Sequence, residues 1–445
     1  MGSAIGQRLP QRGSALPGER SAALVEVLAA VESPSFTSRR ARRRERSGAP
    51  WDPIVWAEAR GANVVDADGN LFVDLVAGFG VASIGHAHPR LVAAIGAQAG
   101  ALVHGLGDVH PSVPKIRLLE RLAAMAPFGE ARVVLGAHGG DAIETALKTA
   151  VLDTGRPGVL AFEGGYHGLG HGPLALCGYS EAFRAPFAGQ LGEHAVLAPW
   201  PAETDAVGEA IGRVEQAWRG RSIGAVFVEP IQGRGGVRIP PPGFLRALGE
   251  LARSRGARVV SDEILVGLGR CGARWLGADE GLAPDLVCAG KSLGGGMPVS
   301  ACLGRGEVME AWAGRGAEAI HTATFFGHPI ACAAALATLD VMEEEGLSER
   351  AERSGVRWLG RLREVAARHS VVRGVRGRGM LLGMELDSGA RTLRLVPALL
   401  DRGWITLPAG ASAEVLQLCP PLGIEDPLLE GFAAALDEAL HEVAR

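Results

Sequence analysis

Short apolar runs alternate with helix-like segments between residues 132 and 302, and this alternation constrains the fold more than any other feature of the chain. The runs are rich in valine, whereas the segments between them carry apolar residues at helical spacing. Strands that alternate with helices form a mostly parallel sheet flanked by helices. The sequence therefore predicts an α/β fold, with strands at 132–135, 158–162, 225–229, 258–261 and 285–289.

Acidic residues and a lysine follow two of these predicted strands. Asp262 and Glu263 come directly after the fourth strand, and Lys291 comes after the fifth. Open α/β sheets bind their ligands at the carboxyl ends of their strands. We therefore expect an acid and Lys291 to meet in a crevice that holds a cofactor.

Lysine is rare in this chain, which makes Lys291 more informative. The 45 basic residues include only Lys115, Lys148 and Lys291. An amine whose pKa falls can form a Schiff base, which arginine cannot do. Lys148 has a simple ion-pair partner in Glu144, one helical turn earlier. Lys291 is therefore the candidate for covalent chemistry.

A glycine-rich turn leads from the first predicted strand into a helix. Gly136, Gly139 and Gly140 precede the apolar helical period, and the first turn of such a helix offers backbone N–H groups to a phosphate. Asp141 would lie in that first turn, either as a capping residue or as a ligand contact. Tyr166, at the end of the next strand, either lays its ring on a planar cofactor or packs as an ordinary aromatic.

The remaining sequence predicts a second, smaller domain. Apolar and polar residues alternate at 54–75, which indicates a hairpin. Predicted helices and strands alternate again from about residue 350. We expect a large α/β domain at 76–330. The smaller α+β domain is expected to combine residues 1–75 with residues 331–445.

Composition limits the class of protein. The 445 residues are 47% hydrophobic and 21% charged with a net charge of −4, which does not favour a nucleic-acid-binding protein. No apolar run approaches the roughly 18 residues of a membrane span.

The basic run at 38–46 is expected to be a solvated helix face or a loose arm. His86 and His88 are expected to be loop hydrogen-bonders, so no metal is assigned. We expect a cytoplasmic enzyme with reduced thiols, since no CxxC pair occurs among Cys177, Cys271, Cys288, Cys302, Cys332 and Cys419.

Two stretches imitate nucleotide-binding motifs. Gly267, Gly269 and Gly272 satisfy GxGxxG, but the text after them opens no long helix on which a pyrophosphate could sit. Residues 285–292 imitate a phosphate-binding loop, but Asp285 replaces its first glycine and the supposed loop is an apolar strand. A dehydrogenase and an NTPase are therefore only remote alternatives.

Seven motifs, taken together and in their order, resemble those of class III aminotransferases, which are pyridoxal 5'-phosphate (PLP) enzymes of fold type I. The resemblance covers nearly the whole chain from about residue 50. The motifs are GGDAIETALK, FEGGYHG, VEPIQGRGG, SDEILVGLGRCG, AGKSLGGGMP, TFFGHPIACAAAL and CPPL.

The resemblance implies the catalytic pair. Lys291 would hold PLP as a Schiff base and then carry a proton between substrate and cofactor carbons. Asp262 would pair with the pyridine nitrogen and keep it protonated, which makes the ring an electron sink.

The resemblance also implies how the cofactor is bound. Ile264 and Tyr166 would lie on opposite faces of the ring, and Gly139 and Gly140 would donate backbone N–H groups to the phosphate. Thr324 is similar to the threonine that reaches the phosphate of the neighbouring subunit's cofactor. The resemblance therefore implies a homodimer with shared active sites.

Four positions depart from the usual family pattern. Arg234 stands where relatives acting on α-amino acids or ornithine often carry glutamate, and Gln417 stands where they carry the arginine that pairs with it. Arg234 either binds a substrate carboxylate or points to solvent. His138 replaces a serine before the phosphate glycines, and Leu265 replaces a glutamine near the cofactor's phenolic oxygen. These changes bear on the substrate rather than on the Schiff-base chemistry.

The expected reaction is a transfer of an amino group in two half-reactions. A primary amine or ω-amino acid similar to 4-aminobutyrate would be the donor, and an α-keto acid such as pyruvate or 2-oxoglutarate would be the acceptor. The nearest alternative is a 2,1-aminomutase of the same family, which needs no second keto acid. A non-catalytic cofactor-binding protein would keep the phosphate glycines without needing Lys291.

Overall fold

The computed structural model describes residues 6–47, 53–314 and 319–445. Its α-helices are α1 (Glu19–Val31), α2 (Pro34–Ser47), α3 (Ala77–Gly80), α4 (Pro89–Ala101), α5 (Val113–Met125), α6 (Gly139–Thr154), α7 (His171–Ala175), α8 (Glu181–Arg184), α9 (Val207–Trp218), α10 (Phe244–Ser254), α11 (Leu276–Asp279), α12 (Gly306–Met309), α13 (Pro329–Glu344), α14 (Leu347–Ala366), α15 (Gly389–Asp401) and α16 (Asp426–Ala444). Short 3-10 helices occupy Ala185–Gln190, Lys291–Gly294 and Glu310–Trp312.

The strands form three sheets. They are β1 (Trp56–Arg60), β2 (Asn63–Asp66), β3 (Leu71–Asp74), β4 (Ala131–Gly136), β5 (Gly158–Phe162), β6 (Ala195–Ala198), β7 (Ile223–Val228), β8 (Arg258–Asp262), β9 (Leu286–Ala289), β10 (Ser300–Arg305), β11 (Val372–Arg378), β12 (Leu381–Leu386), β13 (Trp404–Ile405), β14 (Leu407–Ala409) and β15 (Val415–Leu418). Among the described residues, the sheet orders are β1-β2-β3-β13, β4-β10-β9-β8-β7-β5-β6 and β11-β12-β15-β14.

Contacts group the chain into two compact units. Unit 1 comprises Met1–His88 and Arg350–Arg445, and unit 2 comprises Pro89–Glu349. These limits differ from the domain boundaries expected at residues 76 and 330, which stay a prediction. The reason is that α13 packs against α4 and α5, so it groups with unit 2.

The central sheet of unit 2 confirms the predicted α/β class with mostly parallel strands. Strands β6, β5, β7, β8 and β9 run parallel, whereas β10 pairs antiparallel with both β9 and β4. The position of strand β7 in this sheet explains why its sequence is entirely apolar. Ala225 and Phe227 pack with buried residues of α6, whereas Val226 and Val228 pack with those of α9 and α10. A strand covered by helices on both faces has no polar side to display.

Unit 1 is built from the two smaller sheets and the long C-terminal helices. The predicted hairpin is the antiparallel pair β2 and β3, to which β1 adds a further antiparallel strand. The rings of Trp358 on α14 and Phe432 on α16 stack at 6.4 Å, and Trp404 packs edge-on against Phe432. The basic run at 38–46 lies on α2, as the helix-face reading predicted.

Candidate active site

Lys291 lies just beyond the carboxyl end of β9 and opens a single 3-10 turn. Its backbone φ is +38°, in the left-handed region. This conformation costs a residue with a side chain about 1–3 kcal/mol, and such strain is found where the surrounding structure fixes a functional side chain. The turn is closed by a hydrogen bond from Leu293 N to Gly290 O of 2.9 Å. The local chain therefore fixes the direction in which the Lys291 amine leaves the sheet.

Asp262 ends the neighbouring strand β8, and its two carboxylate oxygens have different partners. Oδ2 lies 2.7 Å from Nδ1 of His167, and Oδ1 accepts a hydrogen bond of 3.1 Å from Ile264 N. Asp262 and His167 are only 4% and 3% exposed. An ionised carboxylate only accepts hydrogen bonds, so Nδ1 of His167 is the donor. Burial opposes a charge on the imidazole, but the bond to Asp262 and its negative charge outweigh burial and raise the pKa of His167.

Glu229 is a third buried acid at this edge of the sheet, and the sequence analysis did not single it out. It follows β7 directly, and its carboxylate accepts hydrogen bonds from Tyr166 N at 2.8 Å and from Gly233 N at 3.3 Å. Burial raises the pKa of Glu229 to about 7, against the opposing charge of His167. Glu229 therefore fixes the backbone that carries Tyr166.

The amino end of α6 faces the same cavity. Gly139 and Gly140 form its first two residues, whose backbone N–H groups lack acceptors within the helix. The capping reading of Asp141 is supported, because its carboxylate accepts hydrogen bonds from the N–H groups of Ala137 at 2.8 Å and His138 at 3.1 Å. Asp141 therefore shapes the turn, and the glycines are left to meet an anion.

Close packing explains why glycine stands at position 139. A Cβ atom on Gly139 would lie 3.0 Å from Cδ1 of Ile264, which is tighter than ordinary contact. A Cβ atom on Gly290 would likewise meet Cγ2 of Ile264 at 3.3 Å. Ile264 therefore fills the space between the amino end of α6 and the end of β9.

Arg234 lies among aromatic rings. Its guanidinium carbon is 4.3 Å from the ring centroid of Tyr166, 5.1 Å from that of Tyr179 and 5.6 Å from that of Phe183. The reading in which Arg234 simply points to solvent is wrong, because the residue is half-buried and its charge packs on these rings. Both tyrosines of the chain therefore meet at this arginine.

One cavity of about 310 Å³ brings most of the expected site residues together. Its lining includes Lys291, Asp262, Gly139, Gly140, Tyr166, Ile264, Arg234, His138 and Leu265, together with His167 and Glu229, which the sequence analysis missed. Two further expected residues lie elsewhere in their units. Thr324 is exposed on a turn of unit 2, and Gln417 is half-buried on β15 of unit 1, opposite Gly383.

This lining fits PLP. An amine is present for the aldehyde, a buried carboxylate for the pyridine nitrogen, and a helix amino end for the phosphate. Arg234 adds a cationic side chain to this lining.

The residues that imitate other motifs have ordinary structural roles. Gly267, Gly269 and Gly272 lie in turns, and the next helix, α11, has only four residues. A pyrophosphate would therefore have no long helix to bind, as expected. His86 bonds to Asp74 at 2.8 Å, in keeping with a loop hydrogen-bonder.

The structure also bears on the sequence predictions for Lys148, for the cysteines and for membrane spans. Lys148 lies 3.7 Å from Glu144, which confirms the expected ion pair. All six cysteines lie in the described part of the chain, where they are buried and form no disulfide. In the part of the chain that the structure describes, no helix is long and apolar enough to span a bilayer.

Comparisons with known proteins agree with this geometry. The family model described as aminotransferase class-III matches residues 46–440. The chain is 35% identical to a 5-aminovalerate aminotransferase of Pseudomonas aeruginosa over 407 residues, which cover 88% of this chain and 94% of the relative. It is 38% identical to an acetylornithine aminotransferase of Methanopyrus kandleri over 389 residues, which cover 87% and 95%. A solved amine transaminase from an uncultivated Pseudomonas species, in its PLP-bound form, matches with a TM-score of 0.81 and 30% identity over 88% of this chain and 95% of that one.

Proposed function

Because the chain belongs to the class III aminotransferase family and is a PLP-dependent aminotransferase, we propose that its amino donor is a primary amine or ω-amino acid similar to 4-aminobutyrate. The acceptor is an α-keto acid such as pyruvate or 2-oxoglutarate. The similarity to a 5-aminovalerate aminotransferase supports a donor that carries its amino group at the end of a short acid. The observation that best supports this function is that Lys291, Asp262 and Arg234 line one cavity.

Lys291 and Asp262 have the catalytic roles in this proposal. Lys291 would hold PLP covalently through its Nζ atom, and the same amine would accept and return the proton at the donor carbon. The Asp262 carboxylate holds a proton on the pyridine nitrogen. Bound PLP supplies an electron sink for the negative charge that develops at the donor carbon.

His167 supports Asp262 and completes the charge arrangement. Its buried hydrogen bond to Oδ2 fixes the orientation of the Asp262 carboxylate, and the negative charge of Asp262 raises the pKa of His167. Because Asp262 is almost fully buried, water screens its charge little, so it would attract a protonated ring nitrogen more strongly than an exposed acid would. His167 is thus a positioning residue, because it acts through Asp262.

The remaining cofactor contacts follow from the lining. Gly139 and Gly140 donate backbone N–H groups to the phosphate. Ile264 and Tyr166 would lie on opposite faces of the ring, and the hydrogen bond from Tyr166 N to Glu229 holds the backbone of Tyr166 in place. Asp141 does not touch the cofactor, since its carboxylate caps the turn.

Arg234 binds the carboxylate of the donor or acceptor, and Gln417 contributes a polar contact to the substrate. The aromatic rings around Arg234 replace part of its water without neutralising its charge. A guanidinium held in this way meets a carboxylate at a smaller entropic cost than a free surface arginine. The positive group thus favours donors and acceptors that carry an acid.

The chain acts as a homodimer in the cytoplasm. Thr324 donates its hydroxyl to the phosphate of the neighbouring subunit's cofactor, and its exposure on unit 2 leaves it accessible to a second chain. The substrates are small molecules, and neither a nucleic acid nor a membrane is part of the function.

A donor panel tests this function. Purified protein saturated with PLP is incubated with 4-aminobutyrate, 5-aminovalerate, acetylornithine and a neutral primary amine, each with pyruvate or 2-oxoglutarate and without either. We expect amino-acid product only where a keto acid is present, and best with an acid-bearing ω-amine. Rearranged donor formed without keto acid would show an aminomutase, and activity limited to neutral amines would contradict the role of Arg234.

A further inference from the structure

Three metal-type side chains converge in unit 1 and have no part in the aminotransferase chemistry. They are His369, Asp437 and His441, here called the His–Asp–His cluster. Their candidate ligand atoms all lie within 4.8 Å of one another. Among residues 6–47, 53–314 and 319–445, this is the only group of three or more His, Cys, Asp or Glu side chains with this spacing.

The elements that carry the cluster position it well. Asp437 and His441 are four residues apart on α16, so their side chains lie on one face of that helix. His369 lies in the turn that follows α14. The rings of His369 and His441 are 4.4 Å apart at 75°, and Nε2 of His369 is 2.7 Å from Oδ1 of Asp437. The three side chains therefore surround one small volume at the end of α14.

The hydrogen bonds of His441 select the form of imidazole that binds metals. Its Nδ1 lies 2.9 Å from the backbone oxygen of Asp437, and because that oxygen only accepts, Nδ1 carries the hydrogen. The lone pair is then left on Nε2. A backbone carbonyl that orients an imidazole in this way is the usual outer partner of a metal-bound histidine.

Arg368 is the competing charge at the cluster. Its Nη2 lies 3.0 Å from Oδ1 of Asp437, so in the protein without metal the guanidinium and His369 share one carboxylate oxygen. The Arg368 side chain is 47% exposed. Exposed ion pairs of this kind contribute little stability, and the long side chain can turn into water. Arg368 therefore weakens metal binding without preventing it.

We propose that the His–Asp–His cluster is a binding site for a divalent transition-metal ion, with Zn²⁺ as its occupant. Two imidazole nitrogens and one carboxylate oxygen are ligands that Zn²⁺ accepts at about 2.0–2.2 Å, and water completes the tetrahedron. The ion replaces the hydrogen between His369 Nε2 and Asp437, which leaves as a proton to the buffer. The bound ion ties the end of α14 to α16 and stabilises unit 1.

Calorimetric titration of ZnCl₂ into the PLP-saturated full-length chain tests this proposal. The protein carries no histidine tag, because a tag would bind the ion itself. The informative variant is His441→Ala, since His441 is exposed and its removal leaves the fold intact. The matched control is His110→Ala, which removes another exposed histidine far along the chain in unit 2. A third variant, Arg368→Gln, removes the competing charge.

We expect one Zn²⁺ per chain, with affinity lowered at least about tenfold in His441→Ala and unchanged in His110→Ala. Arg368→Gln binds more tightly than the wild type. Zn²⁺ also raises the melting temperature of the wild type and not that of His441→Ala. Absence of stoichiometric binding, or equal affinity in wild type and His441→Ala, would overturn the proposal. Neither result bears on the aminotransferase function, because none of the three residues is among those that line the cofactor cavity.

Discussion

Replacement of His167 by alanine should weaken both cofactor binding and catalysis without removing any group that contacts the substrate. The hydrogen bond from His167 Nδ1 to Asp262 Oδ2 is 2.7 Å long, and both residues are almost fully buried. A buried hydrogen bond to a charged group contributes about 1.5–3 kcal/mol. That free energy corresponds to a loss of about 10–150-fold in PLP affinity and in kcat/KM, since about 1.4 kcal/mol is a factor of ten.

The matched variant His167→Asn separates the hydrogen bond from the packing. The asparagine amide can place an N–H group near the position of Nδ1, so we expect it to recover most of the loss seen with alanine. PLP affinity is measured by titrating the apoenzyme and following its visible absorbance, with circular dichroism as a check of folding. The reasoning is refuted if His167→Ala binds PLP and turns over like the wild type, or if both variants are damaged equally.

Three further predictions concern separate parts of the molecule. Arg234→Ala should lower kcat/KM for a carboxylate-bearing donor by about 10–150-fold and leave a neutral amine donor unaffected, since one charged contact is lost; equal values for both donors would exclude the carboxylate role. Gly139→Ala should weaken PLP binding, because its Cβ would push on Ile264. Gly96→Ala has open space around it, so it should leave PLP affinity unchanged and protein stability unchanged or slightly higher. Equal PLP affinities of the two variants would show that the close contact is unimportant. Burial raises the pKa of Glu263 from 4.5 to about 7, so the folded state binds a proton that the unfolded state releases, and stability from this group falls as pH rises through that window. Between pH about 5 and about 8, chemical denaturation should show Glu263→Gln gaining about 1–3 kcal/mol relative to wild type; a constant difference would refute the sign.

The positions of Asp262 and Lys291, the proposed catalytic pair, could be predicted because the signal for them is local. Asp262 and Lys291 each follow a strand directly, and the apolar strand text fixes both the end of the strand and the edge of the sheet at which the side chain appears. The amino end of α6 could be predicted equally well, because a strand, a glycine turn and a helical period follow one another directly in the sequence. Strands β6 and β10 of the central sheet were missed.

The partners of these residues could not be predicted because they come from distant parts of the chain. His167 is 95 residues from Asp262, and Glu229 is 63 residues from Tyr166. In the sequence, His167 is only the residue that follows Tyr166 in the motif FEGGYHG, and nothing nearby indicates that it contacts Asp262. The two readings of Arg234 could not be separated either, since its environment depends on rings from three other positions that only the fold brings together.

Borohydride reduction of the PLP-loaded protein, followed by peptide mapping, identifies the side chain that holds the cofactor. The chain has only three lysines, so the position of the label is unambiguous. We expect one phosphopyridoxyl group per chain, on the peptide that contains Lys291, and none on Lys115 or Lys148. A colourless protein that takes up no label, or one that is labelled elsewhere while Lys291→Ala remains active, would contradict it.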